Sequence, residues 1–347
     1  MYTIGISGHF GEGKSLLNGQ TVKTKVLCDE LSHQLGKEAI TTVDTHNWKK
    51  NPLKLLFKSV RLIQKCNHIL ILPARRGVKI FVPLFLLLNK FFHRKLHYVV
   101  IGGWLPEMLQ VNPKLTDQLK GFNGIYVETH TMIQALNALG LNNVFYMPNF
   151  KPLRVLLESE LIYPQEKHYK LCTFSRVMRE KGIEDAIEAV KKINSELNET
   201  VYTLDIYGQI DQGYEERFKQ LQKEFPNFIS YKGLVDFDKS TEVLKNYFAL
   251  LFPTFYEGEG FPGTVLDAFS SGIPVIATNW KYNSEVIRHG EVGYIHECDS
   301  ENLALMLKKI LDNPNNLLEM KKDCLLEAKK YDTKTVVQRF LTQMENA

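Results

Sequence analysis

The chain has 347 residues, 44% hydrophobic and 24% charged, the composition of a globular protein long enough for two domains and unlike that of a disordered or collagen-like chain. Its formal net charge of +4 is too small to argue for a nucleic-acid partner. Five scattered cysteines without a CxxC pair argue against a disulfide framework or a zinc site and fit a reducing compartment.

In chain order, MYTIGISGHFGEGKS reads as a strand (Thr3–Ser7) and a glycine loop, without the basic and apolar regions of a signal peptide. Further strands are expected at Ile40–Val43, Ile69–Leu72, Tyr98–Ile101, Gly124–Val127 and Val144–Tyr146. After a seam at 147–155 with two prolines, the pattern restarts with Lys170–Thr173, Tyr202–Tyr207, Ile229–Tyr231, Ala249–Phe252, Pro274–Ala277 and Gly293–Ile295. Helical patterns such as Thr24–Leu35, Glu184–Asn194, Tyr214–Glu224 and Glu301–Leu311 lie between them. Apolar strands alternating with helices predict the α/β class, with two Rossmann-like doubly wound domains, 1–151 and 152–330. The boundary also divides the charge: residues 1–151 hold 19 basic and 8 acidic side chains, and residues 152–347 hold 24 and 31. Such asymmetry points to different partners for the two halves.

Gly8–Ser15 matches GxxxxGK[ST], the phosphate-cradling P-loop of an NTPase or kinase. That motif needs a helix at its Lys-Ser, yet Asn18-Gly19 is expected to break one, with the better helix starting near Thr24. No apolar run ending in Asp stands ready to hold magnesium. The other reading is a glycine loop at a strand end, where open α/β sheets bind ligands.

The segment from Phe252 to Thr278 runs strand, acidic glycine-rich loop, short helix (from about Val265 to Ser271) and strand. Free amides of such a loop, beside a helix N-terminus, suit an anion such as a diphosphate. Asp267, placed in the first helical turn, equally fits a capping box with Thr264, and Glu257 and Glu259 fit a solvated loop. A second cationic stretch, Arg176 to Lys181, follows the strand at Lys170; cations near a helix start oppose its dipole and favour an anionic ligand.

The Glu259–Asp267 spacing resembles the E-x7-E region of retaining glycosyltransferases of family 4, of the kind found in bacterial surface polysaccharide biosynthesis. The Arg176 segment resembles that family's G-R-x-x-x-x-K-G. The resemblance implies the GT-B fold, with a cleft between its domains, and a nucleotide diphosphate sugar as donor. It assigns Arg176 and Lys181 to the donor diphosphate, Glu259 to the transferred sugar and Asp267, in place of a Glu, to the ribose. Around them it implies donor contacts from Glu257, Gly260, Phe261, Pro262, Gly263, Thr264, Gly208 and Leu234. It reads Gly8–Ser15 as the family's first loop, adding Gly11 and Gly13, and makes 331–347 a helix crossing back to the first domain. His9 and Trp104 are candidate acceptor or sugar contacts; where many relatives carry a His, this chain has Gly103-Trp104.

No obligatory metal or other cofactor is expected, and Asp236-Phe237-Asp238 is read as an exposed loop. The implied acceptor is a glycan or lipid-linked glycan. The basic, apolar segment 75–95 reads either as a buried helix with charged ends or as a contact with an anionic membrane surface, which suits a cytoplasmic chain peripheral to the inner face of the cell membrane. A P-loop NTPase and a non-catalytic binding protein of the same fold are the rival functions.

Overall fold

The computed structural model describes residues 3–11, 19–164 and 168–347. The chain forms two compact units, Met1–Pro152 with Tyr331–Ala347, and Leu153–Lys330. Each holds one six-stranded sheet whose neighbouring strands all run parallel.

In the first unit the strands are β1 (Ile4–Gly8), β2 (Ile40–Asp44), β3 (His68–Ile71), β4 (Lys95–Val99), β5 (Gly124–Val127) and β6 (Val144–Tyr146). They are connected through α1 (Gly19–Leu35), α2 (Pro52–Lys65), α3 (Val78–Phe92), α4 (Leu105–Gln110), α5 (Pro113–Leu119) and α6 (His130–Ala138). The sheet order β2-β1-β3-β4-β5-β6 puts a reversal of strand order between β1 and β3, the place where such sheets bind ligands. Ile4, Ile6, Leu70 and Leu72 of the sheet pack with Leu27 and Leu31 of α1.

The second unit has β7 (Tyr169–Phe174), β8 (Tyr202–Tyr207), β9 (Ile229–Gly233), β10 (Ala249–Phe252), β11 (Val275–Thr278) and β12 (Gly293–His296). Its helices are α7 (Ile183–Leu197), α8 (Glu215–Lys223), α9 (Ser240–Leu244), α10 (Gly263–Ser270), α11 (Asn283–Val286), α12 (Ser300–Asp312) and α13 (Pro314–Lys329). The order β12-β11-β10-β7-β8-β9 places the reversal between β7 and β10. A last helix, α14 (Thr333–Asn346), belongs to the first unit, where Val336, Val337, Phe340 and Met344 join the core around α1.

All twelve expected strands are present, β5, β6, β8 and β10 with the expected bounds. The clearest departures are in three elements. β4 runs Lys95–Val99, ahead of the expected Tyr98–Ile101, because its register is set by pairing with β3 from His68. α1 is described from Gly19, five residues before Thr24: Gln20 Nε2 donates to the Leu72 carbonyl, and within the helix Thr24 Oγ1 donates to the Gln20 carbonyl, so one tertiary and one local bond support the turn beside the expected breaker. α3 is neither wholly buried nor wholly interfacial; Val78, Phe81, Val82 and Phe85 are buried while Ile80, Leu87 and Phe91 are exposed. Asp236 precedes and Asp238 lies within an exposed 3-10 turn, Phe237–Lys239.

Candidate active site

The second unit gathers its chemistry at the carboxyl ends of β7 and β10. After β7, a 3-10 turn (Arg179–Lys181) leads through Gly182 into α7. Gly182 has φ +67°, and a Cβ there would sit 2.0 Å from the Pro253 carbonyl oxygen, so only glycine lets this turn lie against the loop after β10. The Glu180 carbonyl then accepts from the Phe255 amide at 2.8 Å, with Thr254 Oγ1 3.2 Å away. These contacts, between residues about seventy positions apart, lock the cationic loop to the acidic one.

Their product is an ion pair. Lys181 Nζ lies 2.5 Å from Glu259 Oε2, with the two side chains 12% and 8% exposed. Thr254 Oγ1 donates to the same carboxylate oxygen at 3.0 Å, and the ammonium stands 4.9 Å from the Tyr256 ring centroid and 5.4 Å from that of Phe252. A charge pair so sheltered is screened less by salt than a surface pair. Arg176 is half-exposed and pairs with Asp211 at 3.5 Å. Glu257 faces outward to Lys281 at 2.9 Å. Of the two candidate carboxylates, Glu259 is thus the buried one.

Gly208, at the end of β8, has φ +133°, and a Cβ there would fall 1.7 Å from the Ser175 carbonyl oxygen. This close approach sets β8 against the loop that carries Arg176. Leu234 follows β9 and is 64% exposed. Gly260, Phe261 and Pro262 are buried and lead into α10, whose first turn starts at Gly263. First-turn amides have no partner within their own helix and face an anion favourably.

The capping box is absent. α10 begins two residues earlier than expected, Asp267 falls in its second turn, and Thr264 Oγ1 donates to the Phe174 carbonyl at 2.5 Å. That bond ties the helix start to the end of β7. Asp267 is buried and accepts from Ser240 Oγ at 2.8 Å. Thr254, Tyr256, Asp211 and Ser240 escaped the sequence reading. Only Thr254, an isolated hydroxyl two residues past an apolar strand, left a visible signal.

The candidate residues of the first unit cluster at the ends of β1 and β2. His9 Nδ1 is 2.8 Å from Thr21 Oγ1, and His9 Nε2 is 3.0 Å from His46 Nδ1. Burial, then the neighbouring His46, lowers the His9 pKa. Contrary to the expectation that no Asp-ended strand stands nearby, β2 ends in Asp44, but its Oδ1 accepts from the Phe10 and His46 amides. Gly11 has φ +69°; Gly13, and with it Glu12 to Ser15 of the P-loop match, lie outside the described residues. Trp104 is buried, with Nε1 donating to the Ile101 carbonyl at 2.8 Å. Among the described residues no three His, Cys, Asp or Glu side chains are grouped to hold a metal ion.

Two Rossmann-like units with an anion-suited site at the strand reversal of the second define the GT-B architecture. Residues 160–330 match the family described as Glycosyl transferases group 1, so this part of the chain is similar to a family of sugar-transferring enzymes. The chain is 29% identical over 160 residues to the GtfA subunit of the UDP-N-acetylglucosamine–peptide N-acetylglucosaminyltransferase of Streptococcus gordonii, a match covering 44% of this chain and 30% of that one. It is 24% identical over 205 residues to the 2-deoxystreptamine N-acetyl-D-glucosaminyltransferase of Niallia circulans, covering 57% and 49%. The match thus spans half or less of these two relatives' length. Among solved structures, Anabaena Alr3699/HepE in complex with UDP superposes with a TM-score of 0.77 at 14% identity over 100% of both chains, a likeness of fold.

Proposed function

We propose that the chain is a retaining glycosyltransferase that moves a sugar from a nucleotide diphosphate sugar, of the UDP class, to a hydroxyl of a glycan or lipid-linked glycan. The observation that carries this reading is the sheltered Lys181–Glu259 pair at the strand reversal of the matched domain. Lys181, Arg176 and the first-turn amides of α10 stabilise the charge that builds on the departing nucleoside diphosphate. Glu259 orients the sugar, and Asp267, held by Ser240, bonds the ribose hydroxyls. Gly208, Leu234 and the loop 260–264 shape the nucleotide pocket. Gly11 and Gly13 of the first loop belong with the donor contacts, and His9 and Trp104 meet the acceptor or the sugar. With two cations on the diphosphate, turnover needs no metal ion, and chelator leaves it unchanged. The relatives' names support the donor class: the Streptococcus protein uses UDP-N-acetylglucosamine, and Alr3699/HepE was solved with UDP-glucose. The product is a cell-surface polysaccharide precursor made at the inner face of the cell membrane, with the basic first unit, through 75–95, at the lipid surface.

The experiment is a thermal-shift panel of nucleotides and nucleotide sugars, followed by donor hydrolysis assays. UDP and one UDP-sugar should raise the midpoint. Lys181→Ala and Glu259→Ala should each lower turnover by about 10²–10³. Silence with every nucleoside diphosphate overturns the reading.

A further inference from the structure

From Thr45 to Pro106 the chain carries 12 Lys and Arg residues and no Asp or Glu. In the structure this stretch builds α2 and α3, which pack against each other in the first unit. Both helices break the ordinary rule for a solvent face. On α2, Leu53 is 80% exposed, Phe57 58% and Leu56 40%. On α3, Ile80, Leu87 and Phe91 are exposed and Leu84 is half-buried; their spacing of four, three and four residues makes one outward apolar stripe.

The cations frame these stripes. Lys54, Lys58 and Arg61 lie on α2, with the Arg61 guanidinium 4.6 Å from the Phe57 ring centroid. Arg75, Arg76 and Lys79 stand at the start of α3 and, with Trp48, Lys49 and Ile80, line a surface hollow of about 650 Å³. Trp48 also lines a second hollow, of about 240 Å³, with Lys54 and Lys58, which makes the two groups one continuous patch. None of these seven cations has a carboxylate partner among the described residues.

We propose that the α2–α3 face docks on an anionic bilayer surface, with lipid phosphates seated in the basic hollow beside Trp48 and the Leu53, Phe57, Ile80, Leu87 and Phe91 side chains entering the headgroup boundary. Apolar area and unpaired cations together select this occupant. An acidic protein surface would satisfy the cations and leave the two stripes in water; an apolar protein groove would bury the cations beside them. An anionic interface satisfies both. The proposal deepens the membrane-surface part of the proposed function by adding α2 and the hollow to segment 75–95. It is independent of the sugar-transfer chemistry. Because the starts of α2 and α3 follow the carboxyl ends of β2 and β3, the docked edge of the sheet is the one that carries His9.

The test is flotation of the full chain with phosphatidylglycerol/phosphatidylcholine vesicles and with phosphatidylcholine alone. The wild-type chain should float with the anionic vesicles at low salt and stay behind with the neutral ones. Arg75→Gln/Arg76→Gln/Lys79→Gln should weaken binding about fivefold for each charge removed. Leu53→Ser/Phe57→Ser should weaken it at least tenfold. Both variants should keep the wild-type melting midpoint and its shift with UDP, which separates loss of docking from loss of fold or of donor binding. Wild-type chain that stays behind with anionic vesicles, or variants that float as well as wild type, overturns the proposal. So does a dimer in sedimentation that Leu53→Ser/Phe57→Ser dissociates, because a second copy then covers the face.

Discussion

Lys181 and Glu259 are 78 positions apart in sequence and 2.5 Å apart in space. Each is the other's partner in a nearly closed environment, so the pair's effect on stability is asymmetric. Removing one charge strands the other at a desolvated position; removing both leaves an apolar, well-packed spot. Lys181→Met should therefore cost about 2 kcal/mol in urea unfolding of the ligand-free chain, short of the ~3–5 of a wholly buried pair. Lys181→Met/Glu259→Leu should recover at least half of that loss, and strict additivity would show that the pair is uncoupled. Gly208 admits a second test. Its φ of +133° and the 1.7 Å approach of a Cβ to the Ser175 carbonyl oxygen should make Gly208→Ala cost about 3 kcal/mol, read as a lower urea midpoint at unchanged slope. At this scale the cations and carboxylates were legible as residue types at fixed spacing. Their partners were not: that Asp211 meets Arg176 and Ser240 meets Asp267 depends on how separate loops dock, which no local pattern encodes.

Elements were easier to read where burial is two-sided. Strands such as β3 (HILI) and β10 (ALLF) are buried at every position and so appear as short apolar runs. Helix starts were harder. Among the described residues only Thr129, Asp299 and Asp332 cap a helix start with a side-chain oxygen accepting an amide. α7 starts from a glycine and α10 from a proline, so their starts answer to neighbouring loops. One apolar-looking strand triplet hides a polar core. His68 Nδ1 on β3 is 3.1 Å from His97 Nε2 on β4, whose Nδ1 is 3.1 Å from the Tyr126 hydroxyl on β5. Burial, with a smaller push from Lys95, lowers the His68 pKa to about 4; burial, then His68 and Lys95, lowers that of His97 to about 3. Both rings are neutral in the fold, while the unfolded chain protonates them near pH 6.5. The unfolded state thus binds more protons between pH 6.5 and 4, and stability must fall as pH drops through that window. We expect the unfolding free energy from urea titration to decline from pH 7 to 4.5 by an amount on the order of a few kcal/mol. His68→Gln/His97→Gln should flatten the decline, and an equally steep profile would place the acid sensitivity elsewhere.

Over the whole molecule the net charge of +4 conceals two opposed fields. The first unit, with its returning C-terminal helix, holds 21 basic and 10 acidic residues; the second holds 22 and 29. That division is visible in the sequence because charge needs no structure to be counted. What the sequence could not display is how the cations are sheltered. Lys181 is 12% exposed and flanked by two rings, whereas Lys54, Lys79 and Arg61 stand on open helix faces. Salt acts on these two classes differently, since exposed charges are screened within about 10 Å at 0.1 M while desolvated ones keep most of their field. The acidic surroundings of the second unit also repel an incoming anion, and salt relieves that repulsion as it weakens the local attraction. Between 50 and 300 mM NaCl we therefore expect the affinity for UDP to change by less than about threefold. Over the same range, binding to anionic vesicles through the first unit should fall by more than about tenfold. Titration calorimetry and flotation on one preparation measure both, and parallel salt slopes would mean that a single electrostatic field, not two separately built sites, governs the chain's anionic ligands.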